Sequence, residues 1–347
     1  MCPQIRLLSW AAPGVDQHGI ERDLGRRESE PVDSVDAARR APENTPVDCT
    51  VVVVTFNNRS DIVGFLDALR ASADGIELRI VVVDNRSCDG TLDAVEGRPG
   101  ALAIDAGSNT GYAGGVNIGR IHADGDTPIL VANPDLRFEP GAVAELLAVI
   151  ADDPLVGIVV PKLVGPDGFL RYSLRREPTI GRAIGEALFG DHFGSRPAWM
   201  SEIVRDHRAY ERQHNVDWAT GAAMMVSPRC NQIVGAWDDS FFLYSEEVDY
   251  AARTRAAGMA VRYAPRAVAM HAEGGSGRSP ALSALMAVNR VRYFELSHGS
   301  VSTAAFRLIV VFHEMLRGRD PARRRAAMIV ARRRQWKRLP SASEPQP

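Results

Sequence analysis

Runs of β-branched residues alternate with helix-spaced apolar residues along the first part of this chain. The run TVVVVTFNN begins after Cys49, a helix-like segment follows it, and a second run, LRIVVVD, occupies Leu78–Asp84. Continuous β-branched runs of this length are typical of strands buried on both faces of a parallel sheet. The order predicts a β-α-β-α unit, whose right-handed crossovers bring the ends of both strands to one edge of the sheet.

The alternation of short strands and helices continues to about residue 278. Helices are predicted at 61–70, with Ser60 or Asp61 as N-cap, at 141–150, and after Ser245, which can cap the acidic segment that follows. Residues 175–214 are irregular apart from a helical patch at 180–188, and we interpret them as an insertion or lid. Further strands are predicted at 101–105, 129–132, 155–160, 217–226 (bulge-prone at Thr220–Gly221), 260–263 and 267–270.

One predicted strand delivers a carboxylate to the edge of the sheet. In the segment 127–135, TPILVANPD, four apolar residues precede Asn133, Pro134 and Asp135. Proline ends the ladder, and ligands of open α/β sheets bind beyond the carboxyl ends of the strands. Asp135 is therefore placed to hold a metal or a phosphate, although Asn-Pro-Asp is also good turn chemistry. The literal Asp-x-Asp, Asp124 to Asp126, precedes the strand and is predicted to be a solvated turn.

A glycine-dense segment, 107–119, opens a helix. Glycine permits close approach of the backbone to a ligand, and free amides at a helix start suit a phosphate. The spacing matches neither the GxGxxG nor the GxxxxGK[ST] fingerprint, which disfavours a dehydrogenase. The segment is either a nucleotide pocket of another type or a connector whose glycines allow tight helix packing.

An acidic helix start and a histidine complete the candidate chemistry. Glu246, Glu247 and Asp249 stand in the first turn after Ser245. Acids there also suit the positive end of a helix, and Asp249 and Arg253 are spaced to pair with each other. His271 comes directly after a predicted strand and before a glycine-rich loop, which favours contact with a ligand.

Composition narrows the class of protein. The 347 residues are 45% hydrophobic and 24% charged with a net charge of −2, which is ordinary for a globular protein and argues against nucleic acid as a partner. The four cysteines are widely separated without metal-binding spacing, so a reducing, cytoplasmic location is expected. No run of 18 apolar residues occurs. Residues 1–47 lack periodicity and are expected to be a disordered extension.

Positive charge is concentrated in residues 279–347, which are predicted to form a helical tail. Ten arginines and lysines between Arg317 and Arg338 stand against one acid, Asp320. This pattern is typical of a basic amphipathic segment that lies on anionic lipid, each basic residue contributing about 1 kcal/mol. A solvated basic helix is the alternative. The apolar residues interleaved with the charges are Met328, Ile329, Val330 and Trp336.

In combination these motifs resemble family 2 glycosyltransferases of the GT-A fold, especially bacterial rhamnosyltransferases that use a dTDP-sugar. The resemblance covers about 50–292 and rests on VVVVTFNN, VVVDNRSCDG, SNTGYAGGVNIG, ANPD, WATGAAMMV, DDSFFLYSEEVDYAARTRAAG and the His271 loop, in the family's order. It implies an α/β, Rossmann-like, mostly parallel central sheet with flanking helices. The catalytic domain would span 48–278, with a nucleotide-sugar half at 48–135 and an acceptor half at 136–278.

The resemblance also implies roles for single residues. Asp135 should hold a divalent metal, Mg²⁺ or Mn²⁺, with His271 as a further ligand, because Asn-Pro-Asp leaves one strong carboxylate where the family carries two. The acceptor side is implied to include Trp218, Gly221, Asp249 and Arg253. The nucleoside-diphosphate sugar is implied to contact Thr55, Phe56, Asn57, Asp84, Asn85, Asn109, Gly111, Asn117 and Asn133.

The acid pair departs from the family pattern, which usually has Glu-Asp where this chain has Glu246-Glu247. By resemblance the second acid, Glu247, is the base, and Glu246 is the alternative; helical geometry separates the two by about 100°, so they cannot share one role. The implied reaction is inverting transfer of a sugar, L-rhamnose by resemblance, to a glycan or a polyprenyl-linked acceptor. The basic tail predicts that the protein acts at the inner face of the membrane. The competing hypothesis is a non-catalytic nucleotide-sugar- or glycan-binding protein that kept the fold.

Overall fold

The structure is a computed structural model that describes residues 47–73, 75–98, 100–190, 196–272 and 279–342. Nearly all of the predicted N-terminal extension, and residues 273–278 of the loop after His271, lie outside these ranges. The strands of the described residues are β1 Cys49–Thr55, β2 Leu78–Asp84, β3 Ala101–Asp105, β4 Ile129–Ala132, β5 Leu136–Phe138, β6 Val156–Val164, β7 Leu174–Arg175, β8 His214–Val216, β9 Trp218–Ala219, β10 Ala223–Val226 and β11 Ala260–His271. The α-helices are α1 Arg59–Ala71, α2 Thr91–Val95, α3 Gly111–Arg120, α4 Ala142–Asp152, α5 Ile180–Phe189, α6 Pro228–Val234, α7 Glu246–Ala256, α8 Pro280–Ser297, α9 Ser300–Leu316 and α10 Pro321–Ala331.

A nine-stranded sheet in the order β3-β2-β1-β4-β10-β6-β11-β5, with β8 also paired to β11, forms the centre of the described part of the molecule. Six of these strands run in one direction, and β5, β8 and β10 run in the other. All seven residues of β1 are buried. The reason is that α1 and α4 cover one face of the sheet and α3 and α7 cover the other. The predicted mostly parallel α/β sheet is therefore confirmed.

The structure corrects several predicted element boundaries. Helix α1 begins at Arg59, and Asn58 rather than Ser60 or Asp61 is its N-cap, because the Asn58 carbonyl accepts the first helical hydrogen bonds. The predicted strand 217–226 is two strands in different sheets: β9 pairs with β7, and β10 enters the main sheet. The strands predicted at 260–263 and 267–270 are one strand, β11, with an irregularity between Ala264 and Val268. Strand β6 extends to Val164, beyond the predicted end at residue 160.

The glycines of α3 serve close packing of that helix. A Cβ atom on Gly115 would stand 2.6 Å from Cγ1 of Val54, and one on Gly119 would stand 2.4 Å from Cγ1 of Val52. The packing interpretation of the glycine-dense segment therefore accounts for these two positions, which hold α3 against β1.

The C-terminal helices form a layer of their own. Val330 of α10 is buried with residues of α8 and α9, and Ile329 and Trp336 pack against the same cluster. Of the four apolar residues in the predicted amphipathic segment, Met328 alone is exposed, at 52%. The apolar side of the segment is thus occupied by protein rather than available to lipid. None of the helices in the described ranges has the length and apolar character needed to cross a membrane.

We expect Gly119→Ala to lower the free energy of unfolding by about 1–3 kcal/mol, because the added methyl group overpacks the contact with Val52 and Val83. This loss exceeds the gain of about 1 kcal/mol in helix propensity. Gly125→Ala is the control, since nothing lies within 4 Å of its added Cβ. Urea denaturation of both variants checks the prediction, and equal midpoints for the two would contradict it.

Candidate active site

The ends of β1 and β2 are joined by a buried carboxylate. Asp84 is 1% exposed, and its Oδ1 accepts a hydrogen bond of 2.7 Å from Oγ1 of Thr55, its partner in register. The amide of Ser87 donates to Oδ2 of Asp84 at 2.7 Å. Both carboxylate oxygens therefore hold the turn that follows β2, at the carboxyl edge where the sequence predicted a donor site.

Neighbouring predicted donor residues also fasten loops together. Nδ2 of Asn85 donates to the carbonyl of Gly111 at 2.9 Å, and its Oδ1 accepts from the amide of Thr110. Oδ1 of Asn57 accepts from the amide of Cys88, and Oδ1 of Asn109 accepts from the amide of Gly111. Phe56 differs, since half of its side chain, 51%, is exposed at this edge.

Asn117 lies away from this edge. Its Nδ2 donates to the carbonyl of Trp237 and its Oδ1 accepts from the Trp237 amide, each at 2.9 Å. Both amide atoms of Asn117 therefore fix the chain before α7. The structure does not bring Asn117 together with the other predicted donor residues.

A cleft of about 470 Å³ lies between the ends of β4 and β11, the 218–222 segment, the start of α7 and the middle of α8. The cleft brings together residues that are distant in sequence. Those among the predicted site residues that line it are Asn133, Trp218, Gly221, Glu246, Glu247 and His271.

A left-handed turn before α7 aims the two glutamates into the cleft. Phe242, Tyr244 and Ser245 have φ angles of 63°, 70° and 75°, a region that is costly for residues with a side chain. Nδ2 of the fully buried Asn289 holds the turn by donating to the carbonyls of Phe241, Leu243 and Tyr244 at 2.7–3.2 Å. The predicted side-chain cap by Ser245 is wrong, because this left-handed residue makes no capping hydrogen bond.

The same turn explains the glycine at the start of α3. Gly111 has φ 77°, and a Cβ atom there would stand 2.2 Å from the Phe242 carbonyl oxygen. The amide of Tyr112 donates to that oxygen at 2.6 Å. Gly111 therefore allows the start of α3 to contact and stabilise the turn. Gly111 itself does not line the cleft.

The two acids differ in their surroundings. Burial raises the pKa of Glu246 well above its ordinary value, and repulsion from Glu247 raises it further. Oε2 of Glu246 is buried without a hydrogen-bond partner among the described residues. Burial also raises the pKa of Glu247, but attraction to Arg175 opposes that rise. Because a cation lies near Glu247 and repulsion from Glu247 acts on Glu246, Glu246 retains a proton more readily than Glu247 does.

Arg175, at the end of β7, is a cleft residue that the sequence analysis missed. Its Nη1 donates to the carbonyls of Tyr172 and Leu174, and its guanidinium carbon lies 5.9 Å from the ring centroid of Trp218. Among the described residues no carboxylate lies within ion-pair distance of Arg175. Its charge therefore acts on the cleft, and no sequence motif marks it.

Helix α8 supplies further lining residues that sequence reasoning assigned to the tail. Met286, Arg290 and Tyr293 all line the cleft, and Arg290 pairs with Glu202 at 2.7 Å. Their i, i+4, i+7 spacing places them on one helix face, which is the pattern that could have revealed them. The tail therefore completes the site.

Asp135 and His271 meet at the ends of β4 and β11. Asp135 is 7% exposed, and Nε2 of His271 lies 3.3 Å from its Oδ1. No cluster of three or more histidine, cysteine or acidic residues suited to a metal occurs in the part of the chain that the structure describes. An oxygen and a nitrogen ligand fit a divalent ion whose other ligands come from a diphosphate and water.

Asp124 has the surface position that the sequence predicted. It lies at the opposite edge of the sheet, half exposed, and pairs with Arg79 at 2.8 Å. Among the residues predicted for the acceptor side, Asp249 and Arg253 pair with each other at 2.7 Å, and Arg253 also donates to the carbonyl of Val234. Neither residue lines the cleft. The predicted ion pair between Asp249 and Arg253 therefore explains both residues without a role on the acceptor side.

Comparisons with known proteins identify the family to which the chain belongs. The model of glycosyl transferase family 2 matches residues 50–226. The N-acetylglucosaminyl-diphospho-decaprenol L-rhamnosyltransferase of Mycobacterium tuberculosis is 31% identical over 71% of this chain and 83% of its own. The low-salt glycan biosynthesis hexosyltransferase of Haloferax volcanii is 29% identical over 60% of this chain and 62% of its own.

A solved structure resembles the fold. GalNAc-T7, crystallised with UDP, GalNAc and Mn2+, superposes with a TM-score of 0.55 at 14% identity, over 72% of this chain. The chain spans about half of that protein, 48%. With the sheet order and the sequence relatives, this likeness identifies a GT-A architecture. The chain therefore belongs to glycosyltransferase family 2 and is a glycosyltransferase.

Proposed function

We propose that this protein is an inverting L-rhamnosyltransferase that uses a dTDP-linked donor and a polyprenyl-diphosphate-linked glycan as acceptor in cell-wall or polysaccharide biosynthesis. The observation that carries the proposal is the pair of unequal carboxyls, Glu246 and Glu247, facing one cleft beside Asp135 and His271. The mycobacterial relative, which by its name transfers L-rhamnose to an N-acetylglucosaminyl-diphospho-decaprenol, supports the choice of sugar and acceptor.

Asp135 and His271 are the residues that would hold a divalent ion, Mg²⁺ or Mn²⁺. Their carboxylate–imidazole pair stands at the end of β4, next to the loops that close the nucleotide half of the sheet. When bound, such an ion offsets the charge that develops on a departing diphosphate. The Mn2+ in the structural relative is consistent with this assignment.

Glu247 is proposed as the general base. The acceptor hydroxyl loses its proton to Glu247 as its oxygen bonds to the anomeric carbon, and the bond from that carbon to the diphosphate oxygen breaks. A single displacement of this kind inverts the anomeric centre. Arg175 favours the ionised form of Glu247, while Glu246 in its protonated form can donate its unpartnered hydroxyl to a sugar oxygen.

The competing function, a non-catalytic binder, is favoured by two departures from the family pattern. Asp135 is the single acid of a motif in which the family usually has two, and Glu246-Glu247 stands where the family usually has Glu-Asp. Donor turnover separates the two functions. We expect nucleoside diphosphate to be released only when donor, divalent ion and acceptor are all present. Tight donor binding without release, with any acceptor of the polyprenyl-diphosphate class, would instead identify a binding protein.

Screening nucleotide sugars for thermal stabilisation identifies the donor and tests the metal ligands. At 100 times its Kd the correct donor should add about 2.7 kcal/mol in the presence of Mn²⁺ or Mg²⁺. Asp135→Asn should lose this metal-dependent gain, because it removes the anionic oxygen ligand. Asp124→Asn, at the opposite edge, should keep it. Loss in Asp124→Asn with retention in Asp135→Asn would place the metal elsewhere.

The pH profile tests the proposed partnership of Arg175 and Glu247. Arg175→Met removes the cation that opposes the raised pKa of Glu247, so that pKa should rise further. A base must be ionised to act, so activity is lost as pH falls through its pKa, and the acid limb of kcat should move to higher pH. Arg79→Met, whose cation pairs with Asp124, is the control. If the acid limb of Arg175→Met stays where it is in wild type, Arg175 does not influence the pKa of the base.

A further inference from the structure

Helix α9 is apolar on its solvent side as well as on its buried side, where Phe306 and Val310 pack into the cluster of C-terminal helices. Val301, Leu308, Phe312 and Met315 are 48–84% exposed and recur at helical spacing on one face. Glu314, in contrast, is 3% exposed, and both of its carboxylate oxygens accept hydrogen bonds from Arg323. A surface helix of a water-facing domain is instead expected to be polar on its solvent side.

Helix α5 continues the same surface. It packs against α9, and Arg317, just past the end of α9, donates to the carbonyls of Glu186 and Ala187 in α5. The exposed residues of α5 are Ile184 and Leu188, one helical turn apart. We define the apolar face as the large apolar residues of both helices that are exposed: Ile184, Leu188, Val301, Leu308, Phe312, Met315 and Leu316.

Single exposed apolar residues are common on proteins, whereas a stripe along one helix and its neighbour marks an interaction surface. None of the exposed residues of α9 carries a charge. Its charged or titratable residues are Arg307 and His313, which are partly buried, and Glu314, which is buried. A partner for this surface must itself offer apolar contact along about 20 Å, because Val301 and Met315 are about four helical turns apart on α9.

Uncompensated positive charge adjoins the apolar face. Arg319 lies four residues after Met315, just past the end of α9, and it is exposed with no ion-pair partner among the described residues. Two tail cations are neutralised, Arg323 by Glu314 and Arg333 by Glu295. The other exposed tail cations without an ion pair in the described ranges are Arg324, Arg325, Arg332, Arg334, Lys337 and Arg338.

We propose that the protein docks on an anionic lipid bilayer through the apolar face of α5 and α9, with the unpaired tail cations meeting the lipid headgroups. An apolar stripe beside basic residues is the combination that lies at a membrane interface. The buried apolar side of α10 takes no part, so the inserting element differs from the basic segment that the sequence suggested.

The docking surface and the cleft share α5. Glu186 lines the cleft, while Ile184 and Leu188 of the same helix belong to the apolar face. Docking would therefore hold the cleft near the bilayer surface, where the diphosphate and sugar of a lipid-linked acceptor lie. This link rests on the proposed function, whereas the docking itself rests only on the chemistry of the face.

Vesicle co-sedimentation of the full-length chain tests the proposal. We expect binding to phosphatidylglycerol–phosphatidylcholine vesicles, weakening with salt, and little binding to phosphatidylcholine alone. The double variant Leu308→Gln/Phe312→Gln should lower the partition coefficient by about tenfold or more, because it removes inserting side chains. The matched control, Leu155→Gln/Phe169→Gln, changes exposed apolar residues that lie outside the face and should bind like wild type.

Two readouts distinguish the outcomes. Wild-type binding by the Leu308/Phe312 double variant would overturn the proposal. So would a wild-type dimer that becomes monomeric in that variant by light scattering without any binding to anionic vesicles, since the face would then be a contact between two copies. Turnover of a short-chain, water-soluble acceptor should be equal in wild type and the double variant, and absence of turnover in both would count against the proposed function alone.

Discussion

The turn before α7 is the constraint on which the site depends. Within the four residues 242–245, Phe242, Tyr244 and Ser245 adopt left-handed backbone angles. Each such angle costs a residue with a side chain about 1 kcal/mol or more. Such a turn persists only when its surroundings hold it. Asn289 from α8 binds its carbonyls on one side, and the start of α3 binds the Phe242 carbonyl on the other. The result is a helix whose first two residues are acids aimed into a cleft.

This arrangement explains why the C-terminal helices belong to the same structural unit as the cleft. Helix α8 provides both the buried Asn289 and the cleft residues Met286, Arg290 and Tyr293. Helices α9 and α10 cover the other side of α8 and complete its apolar cluster. The acids at the start of α7 are thereby positioned by elements more than 40 residues away in sequence.

The sequence predicts the nucleotide half of the fold well and the other half less well. The strands at Leu78–Asp84 and Ala101–Asp105 have the predicted bounds, because continuous apolar runs and local crossovers determine them. The split of 217–226 and the joining of β11 depend on long-range pairing, which local pattern does not encode. Glu246 and Glu247 were found by family motif, whereas Arg175 and Asn289 act through tertiary contacts and carry no motif. The sequence does show Asn289 as a polar residue among the apolar positions of α8, and the structure finds it fully buried at that turn.

The central claim is that the two adjacent glutamates divide their roles, with Glu247 ionised as the base and Glu246 protonated. Single-turnover kinetics of Glu247→Gln and Glu246→Gln, with donor affinity measured separately, tests it most directly. Glu247→Gln should lower the rate of transfer by about 10²- to 10⁴-fold with donor affinity near wild type. Glu246→Gln, which resembles the protonated acid, should retain most of the rate. The opposite result, with Glu246→Gln inactive and Glu247→Gln active, would contradict the account.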